Sequence, residues 1–269
     1  MKHVLSLFVA ATLLGSTVRL NSARSAPAQP AAQVDRSPVI IELFTSEGCS
    51  SCPPADALLS KLEMDQPIAG AEIIGLEEHV DYWNHDGWTD PYSSGEWTLR
   101  QQEYVTRLKS NTPYTPQMIV DGQTEFTGND VRKAQEAIQQ AVRREKTSVS
   151  ITGDAAARNN VLACEVRVTN IRGAGEQEKV DVWLAVTEAG LPTAVTAGEN
   201  RGQTWEHASI VRSLQKIGTI SSGSSLPFQA KPQIKLRPNW KKENLRLVAF
   251  VQERKSWRII GGALAKVSS

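Results

Sequence analysis

Cys49-Ser50-Ser51-Cys52 is the stretch best suited to do chemistry. Two intervening residues let the sulfurs meet within one turn. Such a pair can exchange disulfides, stay locked as a staple, or hold a thiophilic metal. It follows the apolar run Val39-Ile40-Ile41-Glu42-Leu43-Phe44 and precedes Pro53-Pro54 and the spaced residues Leu58, Leu59 and Leu62. That order predicts a buried strand, a cysteine-bearing turn and a helix from about Cys52 to Glu63. A helix N-terminus offers free amides and partial positive charge, which favour a thiolate. The thiolate is the attacking species in exchange. The upstream cysteine is usually the more exposed one, so Cys49 is the candidate nucleophile and Cys52 the resolving residue. Glu47 opposes this, because a nearby carboxylate disfavours the thiolate. The metal alternative is copper(I), which prefers soft thiolates. Cys49, Cys52 and His79 would be its ligands.

The surrounding elements must position these groups. Ala71 to His79 predicts a second strand, and a strand–helix–strand unit of this length suits a parallel crossover. Residues 80–95, rich in Asp, Asn, Gly, Trp and Tyr, form a surface loop. Trp97, Gln101, Tyr104, Val105 and Leu108 mark one helix face. Gln117 to Asp121 is a third strand, Asp121-Gly122 a hairpin turn and Thr124 to Phe126 the return. Asn129 or Asp130 caps a last helix with Val131, Ala134, Ile138, Ala141 and Val142 inward. If the first two strands are parallel and the third antiparallel, Phe44, His79 and Pro116 reach one sheet edge. Cys49, the His79–Trp83 segment and Thr115-Pro116 then converge where open α/β sheets bind ligands. His79 and Asp81 alternate with Val80 and are candidates for proton transfer, or for ordering the loop. Tyr82 and Trp83, with Thr115, are candidates for substrate binding. The bland reading of Tyr82, Trp83, Trp88 and Trp97 is core.

After Thr147 the rhythm changes to short strand-like runs at 149–151, 161–169, 179–188, 208–214 and 245–252, punctuated by Gly, Asn and Pro. This half reads as an antiparallel β-sandwich over 147–269, following an α/β domain over 38–146. Cys164 shares a face with Leu162, Val166 and Val168 and reads as a small core residue. Glu199, Arg201, His207 and Arg212 are either a second polar site or an ion-pair cluster between the halves.

The chain has 269 residues, 40% hydrophobic and 22% charged, which excludes a disordered or collagen-like polymer. Thirty basic against 29 acidic residues exclude a strongly basic nucleic-acid binder. Lys2 and His3, the apolar run Val4–Leu14 and the small-residue stretch to Ala26 read as a secretory signal peptide over 1–26. The run is shorter than the ~20 residues a membrane helix needs. A Pro/Ala/Gln tether over 27–37 follows. Loss of Lys2, Arg19 and Arg24 leaves 27 bases, 29 acids and a net charge of −2. The expectation is a periplasmic or secreted product without a membrane span, in a compartment that permits disulfides.

The order strand, Cys-x-x-Cys, helix, strand, helix, Thr-Pro, strand, hairpin, helix resembles the thioredoxin fold. That resemblance implies a cis bond at Pro116, which would hold the backbone that docks a substrate disulfide. More closely, Ile41 to Asp56, His79-Val80-Asp81-Tyr82-Trp83 with Gly87-Trp88 and Asp90-Pro91, and Tyr114 to Gly122 resemble the exported bacterial family known as domain of unknown function 1223. Gly198-Glu199-Asn200-Arg201-Gly202, His207 and Val211-Arg212 resemble its C-terminal half. The family implies a thioredoxin-like domain with an appended β-domain and supplies no substrate. The expected activity is thiol–disulfide exchange on exported or envelope proteins, needing no small cofactor and drawing on an envelope redox partner. The rivals are a non-catalytic binding module with a structural disulfide, and a copper(I) carrier. Thioredoxin-like copper chaperones use a longer cysteine spacing, which counts against the last.

Overall fold

The computed structural model describes residues 36–85, 87–152, 157–158, 160–175, 178–222, 224 and 226–267. The signal peptide and nearly all of the tether lie outside them. No helix among the described residues is long and apolar enough to cross a membrane.

The N-terminal elements are β1 (Ser37–Thr45), α1 (Pro53–Asp65), β2 (Ala71–His79), α2 (Gly95–Leu108), β3 (Gln117–Val120), β4 (Thr124–Thr127) and α3 (Val131–Val142). The rest is strands, with one 3-10 turn at Lys242–Asn244: β5 (Ser148–Thr152), β6 (Ala157–Arg158), β7 (Val161–Ala163), β8 (Glu165–Thr169), β9 (Lys179–Glu188), β10 (Leu191–Ala194), β11 (Thr204–His207), β12 (Ile210–Ser221), β13 (Phe228–Ala230), β14 (Gln233–Lys235), β15 (Leu245–Glu253) and β16 (Ile259–Lys266). Eight of them form one mixed sheet in the order β16-β15-β9-β12-β2-β1-β3-β4. The remainder make small antiparallel sheets, β10-β11, β13-β8-β5 and β14-β7-β6.

β1 is parallel to β2 with Thr45 opposite His79, and antiparallel to β3 with Phe44 opposite Gln117. The expected edge therefore forms. Alternation along β1 explains its continuous apolar run. Val39, Ile41 and Leu43 pack with Leu59 of α1 and Ile138 of α3. Ile40 and Phe44 face the other way, with Trp97 and Tyr104 of α2. Asp130 caps α3, accepting a hydrogen bond from Lys133 N at 3.0 Å. Val131 departs from the expected inward face and is 51% exposed, because it sits in the first turn beyond the packed stripe.

The sheet does not stop at residue 147. Ile210 pairs in parallel with Glu77, and Glu77 N donates to Ser209 O at 2.9 Å, so β12 extends the edge of β2. β9 and β15 follow. The sheets β13-β8-β5 and β14-β7-β6 cover this part of the large one through Leu162, Val166, Val168, Val182, Leu184 and Leu247. Cys164 is free and buried, as its pattern predicts.

Glu42, the one charge in the apolar run, faces α2. Arg100 Nε lies 2.5 Å from Glu42 Oε1 and 3.4 Å from Glu78 Oε1, with all three side chains buried. Tyr104 Oη donates to Glu42, and Gln252 Nε2 of β15 donates to Tyr104 Oη at 2.9 Å. Burial first, and the charge of Glu42 second, push the Glu78 pKa well above 4.5. Folding therefore takes up a proton at Glu78. Its contribution to stability is complete below pH 4.5 and is lost as pH rises towards the folded value. Glu78→Gln removes that proton linkage. In urea melts at pH 5 and pH 8, the variant should gain on the wild type as pH rises, by up to ~1.4 kcal/mol per pH unit. Parallel pH profiles for the two proteins would contradict the buried neutral Glu78.

Candidate functional site

Cys49 and Cys52 are joined by a disulfide, with Cα atoms 5.4 Å apart. Cys52 N donates to Cys49 O at 3.2 Å, and α1 starts immediately with Pro53 and Pro54. Both cysteines are fully buried (0% exposed), while Ser50 and Ser51 between them are exposed. The loop after β2 lies against this turn. It presses so closely on Gly48 that a Cβ there would lie 2.8 Å from Trp83 O. Trp83 Nε1 in turn donates to Thr115 Oγ1 at 2.7 Å, and the Thr115–Pro116 peptide is cis. Trp83 thus ties the cysteine turn to the Thr115-Pro116 turn across the sheet edge.

The C-terminal half completes the enclosure. Ser50 N donates to Glu199 Oε2 at 3.2 Å, and Asn200 Nδ2 donates to Glu47 O at 2.9 Å. A carboxylate therefore occupies one of the free amides beside the disulfide, where it opposes a thiolate on Cys49.

Behind the disulfide is a buried polar cluster. Strand alternation sends Glu77 and His79 to one face of β2, away from Glu78. His207, the last residue of β11, meets them there. Asp90 Oδ2 accepts from Glu47 N and lies against His79 Nδ1, each at 2.8 Å. His207 Nε2 lies 3.1 Å from Glu47 Oε1, and its Nδ1 makes a longer ion-pair contact of 3.5 Å with Glu77 Oε2. Burial alone would raise Asp90, yet the charge and hydrogen bond of His79 hold it at about 2. Burial works against a charged His207, but its contacts with Glu47 and Glu77 carry it up to about 10. Burial and then the charge of Glu77 push Asp56 up to about 7. Both Asp56 carboxyl oxygens, Glu47 Oε2, Glu77 Oε2, His79 Nε2 and His207 Nδ1 lack a hydrogen-bond partner among the described residues. Each such buried atom ordinarily costs about 1–3 kcal/mol.

The family model described as "Protein of unknown function (DUF1223)" matches residues 40–252, well over half of the sequence. The chain belongs to the DUF1223 family. Among solved structures it is similar to protein AGR_C_4864 from Agrobacterium tumefaciens, with 27% identity and a TM-score of 0.65, covering 87% of this chain and 96% of that one. It is also similar to HBP35 of Porphyromonas gingivalis, with 14% identity and a TM-score of 0.60, covering 86% of this chain and 76% of that one. The second likeness concerns the fold alone. No curated protein matches the sequence.

The residues singled out in this DUF1223 chain do not all gather at one place. Cys49, Cys52, Trp83 and Thr115-Pro116 assemble at the edge. His79 is buried beneath them and faces Asp90. Asp81 turns elsewhere, accepting from Thr98 Oγ1 at 2.6 Å near the start of α2. Tyr82 is 38% exposed and donates to Gln101 Oε1 at 3.1 Å, whereas Trp97 is core. Arg212 lies 3.4 Å from Glu188 and stacks over Tyr92 and Trp240. Sequence reasoning missed Glu77, Asp90 and Asn200. Glu77 had a signal, since it shares a strand face with His79. Asp90 and Asn200 had none beyond their place in family-like motifs.

Proposed function

We propose that the DUF1223 chain is a thiol–disulfide exchange protein of the bacterial envelope, working through Cys49 and Cys52 behind a movable cover. The observation that carries this reading is the placement of a Cys-x-x-Cys disulfide at the head of α1, bridged by Trp83 to the cis Thr115–Pro116 turn. On this reading β1 to β4 with α1 and α3 form a thioredoxin-like unit (residues 38–146), and residues 147–269 supply a β-sandwich-like part that recognises the partner or shields the site. The signal peptide over 1–26 delivers the protein to the periplasm or beyond.

A substrate thiolate attacks Cys49 Sγ. The Cys49–Cys52 bond breaks, and its electron pair leaves on Cys52 Sγ. The substrate's second thiol then displaces Cys49 from the mixed disulfide. The substrate gains a disulfide, and the protein becomes a dithiol by taking up two electrons and two protons. No small cofactor enters, and an envelope redox partner restores the disulfide. Thr115 and Pro116 would align the substrate chain, with Tyr82 and Trp83 at its flank. His79 and Asp81 would serve proton transfer only by way of intervening groups, since neither is bonded to a cysteine.

Complete burial of both sulfurs favours a second reading, a structural disulfide in a non-catalytic binding module. A copper(I) carrier using Cys49, Cys52 and His79 would first need the disulfide reduced. A trapping experiment separates these. With Cys52→Ser, the free Cys49 thiolate should attack a disulfide-bonded peptide, whose other sulfur leaves as a thiolate, and the full chain should accumulate that mixed disulfide because the resolving thiol is gone. Cys49→Ser should accumulate at least ~10-fold less, as expected if Cys49 is the exchanging sulfur. Equal trapping by both variants, or by neither, would remove the exchange reading.

A further inference from the structure

We propose that Glu77, His79 and His207 form a binding site for one divalent transition-metal ion of the zinc type. The site is separate from the cysteine pair and does not rest on the exchange reading.

Each of the three residues places one possible ligand atom within 4.8 Å of the other two. All three are buried, at 0%, 1% and 1% exposed. Tetrahedral zinc with bonds of about 2.0–2.2 Å sets its donors about 3.3–3.5 Å apart. The His207 Nδ1 to Glu77 Oε2 distance is already 3.5 Å. The remaining donor needs to close by only about an ångström.

The hydrogen bonding selects the donors. Histidines that bind metal usually hold the other ring nitrogen against a carboxylate. His79 does this through Nδ1 and Asp90, and His207 through Nε2 and Glu47. A carboxylate oxygen accepts only, so the ring nitrogen facing it carries the proton. His79 Nε2 and His207 Nδ1 are left over without a hydrogen bond among the described residues, and an ion would displace the proton that pairs His207 Nδ1 with Glu77 Oε2. Glu77 Oε2 and both oxygens of the buried Asp56 likewise lack a hydrogen bond among the described residues. Two buried imidazoles also stand against four buried carboxylates, Glu47, Asp56, Glu77 and Asp90. A divalent cation can stand in for the two ring protons that otherwise offset those carboxylates.

Nitrogen and oxygen donors without a thiolate suit zinc and its neighbours better than copper(I), and better than calcium or magnesium, which take oxygen ligands. A cleft of about 310 Å³ lined by Ser60, Glu63, Gly190, Glu206, His207 and Arg246 borders the cluster at His207.

The test is titration of the full chain, disulfide-bonded and stripped with a chelator, first with Co²⁺ and then with competing Zn²⁺. The expected result is one Co²⁺ per chain, displaced one-for-one by Zn²⁺, with no thiolate-to-cobalt charge-transfer band. The chain carrying both Cys49→Ser and Cys52→Ser should bind equally well. Glu77→Gln and His207→Gln should each weaken binding at least 100-fold. Asp90→Asn, which only orients His79, should weaken it 10–100-fold. The cobalt spectrum of the unaltered chain keeps the test decisive should a variant fail to fold. Absence of saturable one-to-one binding, a thiolate band, or undiminished affinity in folded Glu77→Gln and His207→Gln would each overturn the site. Loss of exchange activity in the cysteine variants with metal binding intact would leave it standing.

Discussion

Arg100→Met is expected to destabilise the protein by about 3–5 kcal/mol, the cost of breaking a buried ion pair from one side. Arg100 holds Glu42 at 2.5 Å and Glu78 at 3.4 Å in the face shared by β1, β2 and α2. Its guanidinium also lies 5.3–5.7 Å from the ring centroids of Tyr104, Trp183, Phe250 and Trp257. Methionine preserves much of that packing but leaves the Glu42 carboxylate uncompensated away from water. At an m-value of about 2–3 kcal/mol/M, the urea midpoint should fall by roughly 1–2 M. Changing Glu42 to Gln in the same chain should recover part of the loss, because the stranded charge is then gone. A midpoint shift below ~0.3 M for Arg100→Met would show that water reaches the cluster and that the pair is worth no more than a surface one. Trp183, Phe250 and Gln252 come from β9 and β15, so the same substitution loosens the junction between the two halves of the chain.

Trp83→Ala is expected to speed reduction of the Cys49–Cys52 disulfide by dithiothreitol about 10–100-fold. With both sulfurs fully buried, a small thiol reaches them only when part of their cover opens, and Trp83 is packed against the cysteine turn at Gly48. Trp83 holds the loop after β2 down through its bond to Thr115 Oγ1 and through the half-buried area of its ring. Removing a hydrogen bond and part of an aromatic contact lowers the opening free energy by about 1.5–3 kcal/mol, which is the stated range in rate. Trp83→Phe should fall between, since it keeps the ring and loses the donor. An unchanged rate in Trp83→Ala would place the opening elsewhere, the Glu199-Asn200 clasp being the alternative.

Much of the edge was legible because local rules govern it. Cys49-Ser50-Ser51-Cys52 with Pro53-Pro54 marks a helix start by residue type alone. The continuous apolar run of β1 announces a strand covered on both faces. From these, the opposition of Thr45 to His79 and of Phe44 to Gln117 follows by topology. What lay further along the chain was less legible. The pairing of His207 with Glu47 spans 160 residues, and no local pattern encodes it. The continuation of the sheet through β12, β9 and β15 left a trace that alternation rules pass over. Val180 to Val186 and Leu247 to Val251 are almost unbroken apolar runs, as central strands of a large sheet require. In a sandwich with one solvated face, the same strands would alternate more strictly. The strand Ile259–Lys266 escaped because Gly261 and Gly262 interrupt its pattern. Gly261 is needed where the chain passes Thr147 O, 2.3 Å from a Cβ built there, and a Cβ at Gly262 would lie 2.9 Å from Ile40 Cδ1.

The reduction potential of Cys49–Cys52 bears most directly on the exchange reading. It is measured by equilibrating the full chain in glutathione buffers and trapping free thiols. The exchange account expects a value between roughly −270 and −120 mV, on the low side because Glu199 opposes the thiolate. A value below roughly −300 mV would contradict it and make the pair a structural bond.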